Sequence, residues 1–193
     1  LGSLNDTIKA VKVDGVEATT DNIKSGDYKV ARPFNIACKE EPTGLAKDFI
    51  DFIFSAEGQA IASDSYIAVE DNAASYAGTK PSGKLVIAGS SSVTPLMEKL
   101  KEAYMEINPN ATIEVQMSDS TSGMTGAIDG TCDIGMASRD LKDSELEQLK
   151  YHTPIALDGI AIVVNNSNPV TDISSDSIKA IFTGEITNWN EIQ

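Results

Sequence analysis

The sequence predicts an α/β domain, doubly wound, with a mostly parallel central sheet of about five strands and helices on both faces. Three observations carry this. Short strand-like runs alternate with helix-period runs along most of the chain, a pattern that implies right-handed βαβ crossovers. With 193 residues, 41% hydrophobic and 23% charged, the chain holds one core's worth of an ordinary globular protein, so 1–193 reads as a single α/β domain. Three successive strand-like runs also end in Ser/Thr-rich junctions where helices begin. In doubly wound sheets ligands bind beyond the carboxyl ends of the strands.

The elements follow in order. Residues 7–13 alternate as a short strand, and Val16–Ser25 reads as a turn with one helical turn. Tyr28–Cys38 is a longer strand interrupted by Pro33, which favours an edge position or a bulge. From about Leu45 a helix places Leu45, Phe49, Phe52, Ile53, Ala56 and Ala60 on one face. Residues 71–83 lack apolar periodicity, are rich in small residues, and read as a linker between segments 1–70 and 84–193. Strand 84–89 then leads to helix 94–107, whose start is marked by Thr94-Pro95 and whose buried stripe is Leu96, Leu100, Tyr104 and Ile107. Strand 111–117 leads to helix 122–129, strand 132–137 to helix 142–150, and strand 154–164 to helix 174–183. The longest apolar run, Ile160–Val164, has the length of a buried strand and not of a membrane span.

A net charge of −14 argues against nucleic acid or an anionic membrane as partner. The chain opens Leu1-Gly2-Ser3, with neither an initiator Met nor a signal peptide, so its natural start is expected to lie elsewhere. Cys38 and Cys132 fall in expected strands and read as buried free thiols. His152, the single histidine, is expected in a loop without Cys or His at ligand spacing, so neither a metal nor a cofactor is expected.

The chemistry lies in the three junctions. Gly89–Pro95 follows the first strand, Ser118–Gly123 the second, and Ser138-Arg139 the third. Each offers hydroxyls and free backbone N–H groups at a helix start, where tetrahedral anions bind. One Ser/Thr before a helix is ordinarily only an N-cap; three in succession, the last with an arginine, read as one oxyanion site. Arg139 could instead pair on the surface with Asp140 or Asp143, a contact of small energetic value. Asp158-Gly159 reads as a turn or bulge and not as a ligand.

The rival class is an enzyme. Cysteine-nucleophile phosphatases place five residues between Cys and Arg, whereas six separate Cys132 from Arg139, and a cysteine buried at a strand start does not become a reactive thiolate. No Ser/His/Asp set and no paired acid and base is visible. An inert scaffold without measurable binding is the third class.

The runs GKLVIAGSSSVTPLMEKLKEAYMEINPNATIEVQ, STSGMTGAIDGTCDIGMASRDL, IALDGIAIVVNNSNPV and IFTGEITNW resemble the first part of bacterial phosphate-binding proteins, the receptors of the phosphate ABC transporter. This resemblance runs from Gly83 to Trp189. Residues 1–76, with LGSLNDTIKAVKVDGVEATTDNIKSGDYKVARPFNI and LAKDFIDFIFSAEGQAI, resemble the end of the same proteins, so the order is reversed. The resemblance implies one lobe of a periplasmic-binding-protein fold, circularly permuted across the 71–83 joint, with engineering as the expected origin. Chain termini commonly lie close together, which makes such a joint feasible.

The resemblance further implies inorganic phosphate as ligand, an extracytoplasmic location (periplasmic or lipid-anchored) and the transporter's membrane permease as partner. It places phosphate donors at Ser91, Ser92, Val93 and Thr94, at Ser120 and Ser122, and at Ser138 and Arg139. Many relatives carry an aspartate where Arg139 stands, accepting the proton of HPO₄²⁻. Asp119 and Asp140 are the candidates for that role here, with Asp158 behind them. The family's second anion-binding stretch, arginine followed by Gly-Ser-Gly-Thr, is not found in the sequence, which implies weakened affinity.

Overall fold

The structure, a computed structural model, describes residues 4–192. Strands β1 (Ile8–Ala10) and β2 (Lys12–Val13) and helix α1 (Thr20–Lys24) come first. Strand β3 (Ala31–Cys38), helices α2 (Gly44–Ile53) and α3 (Ala56–Ser63) and strand β4 (Ile67–Ala68) follow. Then come β5 (Gly83–Ser90), α4 (Thr94–Ile107), β6 (Ala111–Ser118), α5 (Ser120–Asp129), β7 (Ile134–Ala137), α6 (Asp143–Leu146) and β8 (Tyr151–Gly159). Strands β9 (Val163–Asn165) and β10 (Asp172–Ile173) and helix α7 (Ser175–Thr183) complete the order, before a short 3₁₀ turn at Trp189–Glu191. Among the described residues no helix is long and apolar enough to cross a membrane.

Where one domain is expected over 1–193, the described contacts divide into two compact units. The larger is Arg32–Leu157; the smaller is made of the segments before Arg32 and after Leu157. The smaller unit pairs β1 antiparallel with β9 and β2 parallel with β10, over a core of Val11, Val13, Ile23, Tyr28, Val164 and Ile173.

The larger unit carries a six-stranded sheet in the order β4-β8-β3-β7-β5-β6. Strands β5–β6 and β5–β7 are parallel, while β3–β7 and β4–β8 are antiparallel. The sheet is therefore mixed rather than mostly parallel: the βαβ crossovers of the 84–137 stretch impose parallel pairing, and strands contributed by the earlier segment are not bound by it. One face packs Phe34, Ile36, Leu85, Ile87, Ile134 and Met136 against Phe49, Phe52, Leu96, Leu100 and Tyr104 of α2 and α4. The other packs Ala37, Ala88 and Ala137 against Met124 and Ala127 of α5.

Small residues on that second face bring α5 unusually near. A Cβ on Gly89, whose φ is +138°, would sit 2.3 Å from the Met136 carbonyl oxygen, and one on Gly123 would sit 2.6 Å from the Gly89 Cα. No side chain fits there, so the first turn of α5 rests directly on the backbone of β5 and β7.

Several elements differ from expectation. The helix after Leu45 breaks at Ser55, which caps α3 by accepting from the Gly58 N–H (3.2 Å), and the break turns Ala60 outward and Gln59 inward. Pro33 lies in an interior strand, not at an edge or bulge; its register with β7 begins only at Asn35, so on that side no ladder bond is lost. Strand 7–13 is two strands flanking buried Val11, and helix 142–150 shortens to α6 because the chain turns back to bond Lys150 N–H to the Lys39 carbonyl (3.2 Å). Strand 154–164 divides into β8 and β9; Ile160 and Val163 are each 42% exposed, so this run is not a buried strand. His152 is in β8 and not in a loop.

Residues 71–82 have no regular element, yet they are fastened down. The Asp48 carboxylate, buried on α2, accepts the hydroxyls of Tyr76 and Tyr104 and the Thr79 N–H (2.8 Å). Tyr76 also meets Phe52 edge to face at 5.5 Å between ring centroids.

Candidate functional site

The parallel strands β6, β5 and β7 lie side by side and end together, at Ser118, Ser90 and Ala137. Their junctions are joined by direct hydrogen bonds. The Ser91 N–H donates to the Ser118 carbonyl (2.9 Å), the Ser90 hydroxyl to the Ser138 hydroxyl (3.0 Å), and the Ser138 N–H to the Ser120 hydroxyl (3.1 Å). The close seat of α5 on Gly89 puts Ser120 within reach of Ser138. All three junctions belong to the larger unit.

The expected residues do not all present free donors. Val93 is fully buried and its N–H donates to the Ser90 carbonyl (3.0 Å), which also accepts the Thr94 hydroxyl (3.1 Å). Ser122 turns its hydroxyl to Asp119 Oδ2 (2.6 Å), and Asp119 Oδ1 accepts the N–H groups of Thr121 (2.8 Å) and Ser122 (3.0 Å). Asp119 is thus the N-cap of α5, and the Ser122 hydroxyl and N–H hold its carboxyl below the usual range. Asp140 is exposed, and Asp158 belongs to the smaller unit.

Arg139 pairs with Glu145 rather than with the side chains of Asp140 or Asp143. Its two Nη atoms reach the two Glu145 carboxylate oxygens at 2.8 Å each. The Arg139 hydrogen bonds hold the Glu145 carboxyl below its ordinary range against the opposing effect of burial. Ser90, Thr121 and Glu145 are the residues that sequence reasoning passed over. Ser90 and Thr121 lie inside the expected junctions without being named as donors, and Glu145, six residues beyond Arg139, matches no surface ion-pair spacing.

Cys132 lies in the turn before β7, not on a strand. It is buried with its Sγ 3.9 Å from the Gly123 carbonyl, and burial pushes its thiol up to about 11. Cys38 is likewise buried and is pushed up to about 12, chiefly by burial, and both thiols are free. Neither supplies a thiolate near neutral pH. Among the described residues no group of three or more His, Cys, Asp or Glu could hold a metal ion. A cavity of about 640 Å³ in the smaller unit, lined by Asp14, Asp172, Ser174 and Trp189 among others, includes none of the expected donors, and the chemistry of the three junctions outweighs its size.

The family profile described as "PBP superfamily domain" matches residues 74–193. The phosphate-binding protein PstS 2 of Streptococcus agalactiae is 52% identical over 193 residues, which is 100% of this chain and 66% of that protein. PstS 2 of Streptococcus pneumoniae is 42% identical over 194 residues, again 100% of this chain and 66% of that protein. The chain thus spans 66% of the length of these curated relatives. A crystal structure of a phosphate ABC transporter, phosphate-binding protein from Streptococcus pneumoniae TIGR4 superposes with a TM-score of 0.95 at 42% identity, over 100% of this chain and 75% of that one.

Proposed function

Because the chain belongs to the PBP superfamily and, within it, to the bacterial phosphate-binding proteins, we propose that it binds inorganic phosphate as one lobe of a phosphate ABC transporter's receptor. The observation that carries this reading is the convergence of the Ser90, Ser120 and Ser138 hydroxyls at the ends of three adjacent parallel strands, beside the starts of α4 and α5. The donors assigned to the anion are Ser91, Ser92, Ser120 and Ser138, with Val93, Thr94, Ser122 and Arg139 shaping the loops around them. Asp119 is the proton acceptor favoured by position, since its carboxylate stays ionised at the head of α5; exposed Asp140 is the alternative. Similarity to that receptor class supports a location outside the cytoplasm and delivery of phosphate to a membrane permease.

The end-to-end match to streptococcal proteins supports a segment order that natural receptors share. An engineered origin gains no support from it.

In these 193 residues the anion meets one wall of donors. A hydrogen bond to a charged group contributes about 1.5–3 kcal/mol when water is excluded and less when it is not. Each ~1.4 kcal/mol withheld weakens binding about tenfold, so affinity on the order of millimolar is expected. Titrating inorganic phosphate into the labelled chain should move the amide resonances of residues 90–95, 119–123 and 138–140 and leave the rest in place. No movement at tens of millimolar phosphate would mean that the fold persists without the function.

Catalysis is not expected, because the nearest nucleophile is a buried, protonated thiol. Incubation with p-nitrophenyl phosphate should release no nitrophenol above the blank, and Cys132→Ser should not alter that. Turnover that disappears in Cys132→Ser would favour the phosphatase reading instead.

A further inference from the structure

Arg139 is the only cation at the three junctions, and a guanidinium that grips an oxyanion does so with two adjacent N–H groups. Here all four Nη protons are already engaged, so Nε–H has no free neighbour with which to form such a pair. Each Nη carries two protons. Those of Nη1 go to Glu145 Oε2 (2.8 Å) and the Asp140 carbonyl (2.9 Å), and those of Nη2 to Glu145 Oε1 (2.8 Å) and the Thr121 hydroxyl (3.3 Å).

Its partners are fixed in turn. Glu145 is 6% exposed and also accepts the Lys142 N–H (2.8 Å). The buried Asn35 amide of β3 donates to the Arg139 carbonyl (2.9 Å). The guanidinium charge is therefore balanced in contact by a buried carboxylate, while Asp119 adds a second negative charge nearby.

We propose that Arg139 and Glu145 form a positioning pair that braces the loop after β7 against the first turn of α5, and that neutral hydroxyl and backbone N–H donors hold the anion. The inference rests on the phosphate reading. On this view Glu145 sets what Arg139 can do: it keeps the guanidinium on Thr121 and off the ligand. Removing the arginine alone then leaves an unpaired carboxylate close to a bound dianion, whereas Arg139→Met together with Glu145→Gln keeps two neutral side chains of similar length that still pack between the loop and α5.

A double-mutant comparison separates a brace from a direct ligand. Phosphate titrations followed by amide shifts would be run on the wild-type chain, Arg139→Met, and Arg139→Met combined with Glu145→Gln, with thermal melts confirming that each is folded. The single variant is expected to bind at least about tenfold more weakly, and the double variant to return to within about threefold of wild type. A double variant as weak as the single one would overturn the proposal, since a lost direct ligand is not restored by neutralising its partner. A single variant that binds like wild type would overturn it as well. If Arg139→Met does not fold, the double variant against wild type decides: within threefold supports the brace, and tenfold or weaker rejects it. Absence of phosphate shifts in the wild-type chain would overturn the functional reading and this inference together.

Discussion

Gly89→Ala is expected to lower the stability of the larger unit by about 4 kcal/mol and to abolish phosphate-dependent amide shifts where the variant remains folded. Two effects add. A left-handed backbone at φ +138° costs a non-glycine residue about 1–3 kcal/mol. The new methyl group would also lie 2.3 Å from the Met136 carbonyl oxygen, 2.9 Å from its nitrogen and 3.0 Å from the Gly123 Cα. All three are main-chain atoms that no rotamer change can move, and overpacking of this kind costs about 1–3 kcal/mol. Relief requires α5 to lift from the sheet, which carries Ser120 away from the Ser138 N–H. Urea denaturation measures the first effect and a phosphate titration of the residual folded protein the second. A stability change below about 1 kcal/mol would show that the helix seat is softer than the geometry implies.

Asp48→Ala should be nearly as damaging, at about 4 kcal/mol, although the residue lies in no functional loop. It leaves the phenol groups of Tyr76 and Tyr104 and the Thr79 N–H without their acceptor, and an unsatisfied buried group costs about 1–3 kcal/mol. The pH dependence has a definite sign. Burial alone would raise the Asp48 carboxyl, but the hydrogen bonds from Tyr76, Tyr104 and the Thr79 and Lys80 backbone outweigh it and leave the group below its ordinary value. A carboxyl depressed in the folded state contributes stability that is present above its unfolded value of about 4 and is lost as pH falls through the lower folded value. Asp48→Asn should therefore flatten the acid limb of the stability profile. Urea midpoints measured from neutral pH into that acid range would show it, and an acid limb unchanged in Asp48→Asn would count against this network.

The sequence carries the local features of the fold well. Pro95 falls in the first turn of α4, although the N-cap is Val93 and not Thr94; Leu96, Leu100 and Tyr104 are buried with Ile107 half-buried, and the junctions at Ser90–Thr94, Ser118–Gly123 and Ser138 stand at one end of three neighbouring strands. What it hides is set by partners distant along the chain. Nothing local says that β3 pairs antiparallel with β7, or that Tyr76 in a stretch poor in periodicity will dock on Asp48. The same holds within the site. Hydroxyl-bearing residues at a strand end advertise donors, but composition cannot tell which donate outward and which, like Thr94 and Ser122, turn back on their own loop. Arg139 was legible as a cation and Glu145 was not legible as its partner, because a six-residue gap across a turn has no helical or strand period to reveal it.

The place of β3 in the sheet bears on how the chain reaches its folded state. This strand is made early, yet its neighbours β7 and β8 are made late; Asn35 and the Arg139 carbonyl that it binds are 104 residues apart. Closing so wide a loop must precede the contacts that reward it, and folding rates fall as such non-local pairings come to dominate. During synthesis β3 and the apolar helices α2 and α3 therefore leave the ribosome without the strands that will flank and cover them. For that interval the chain carries an exposed hydrophobic segment with an unpaired strand edge, the kind of species that aggregates or is held by chaperones. Its vulnerable moment lies on the way to the native state, in the time β3 spends waiting for β7.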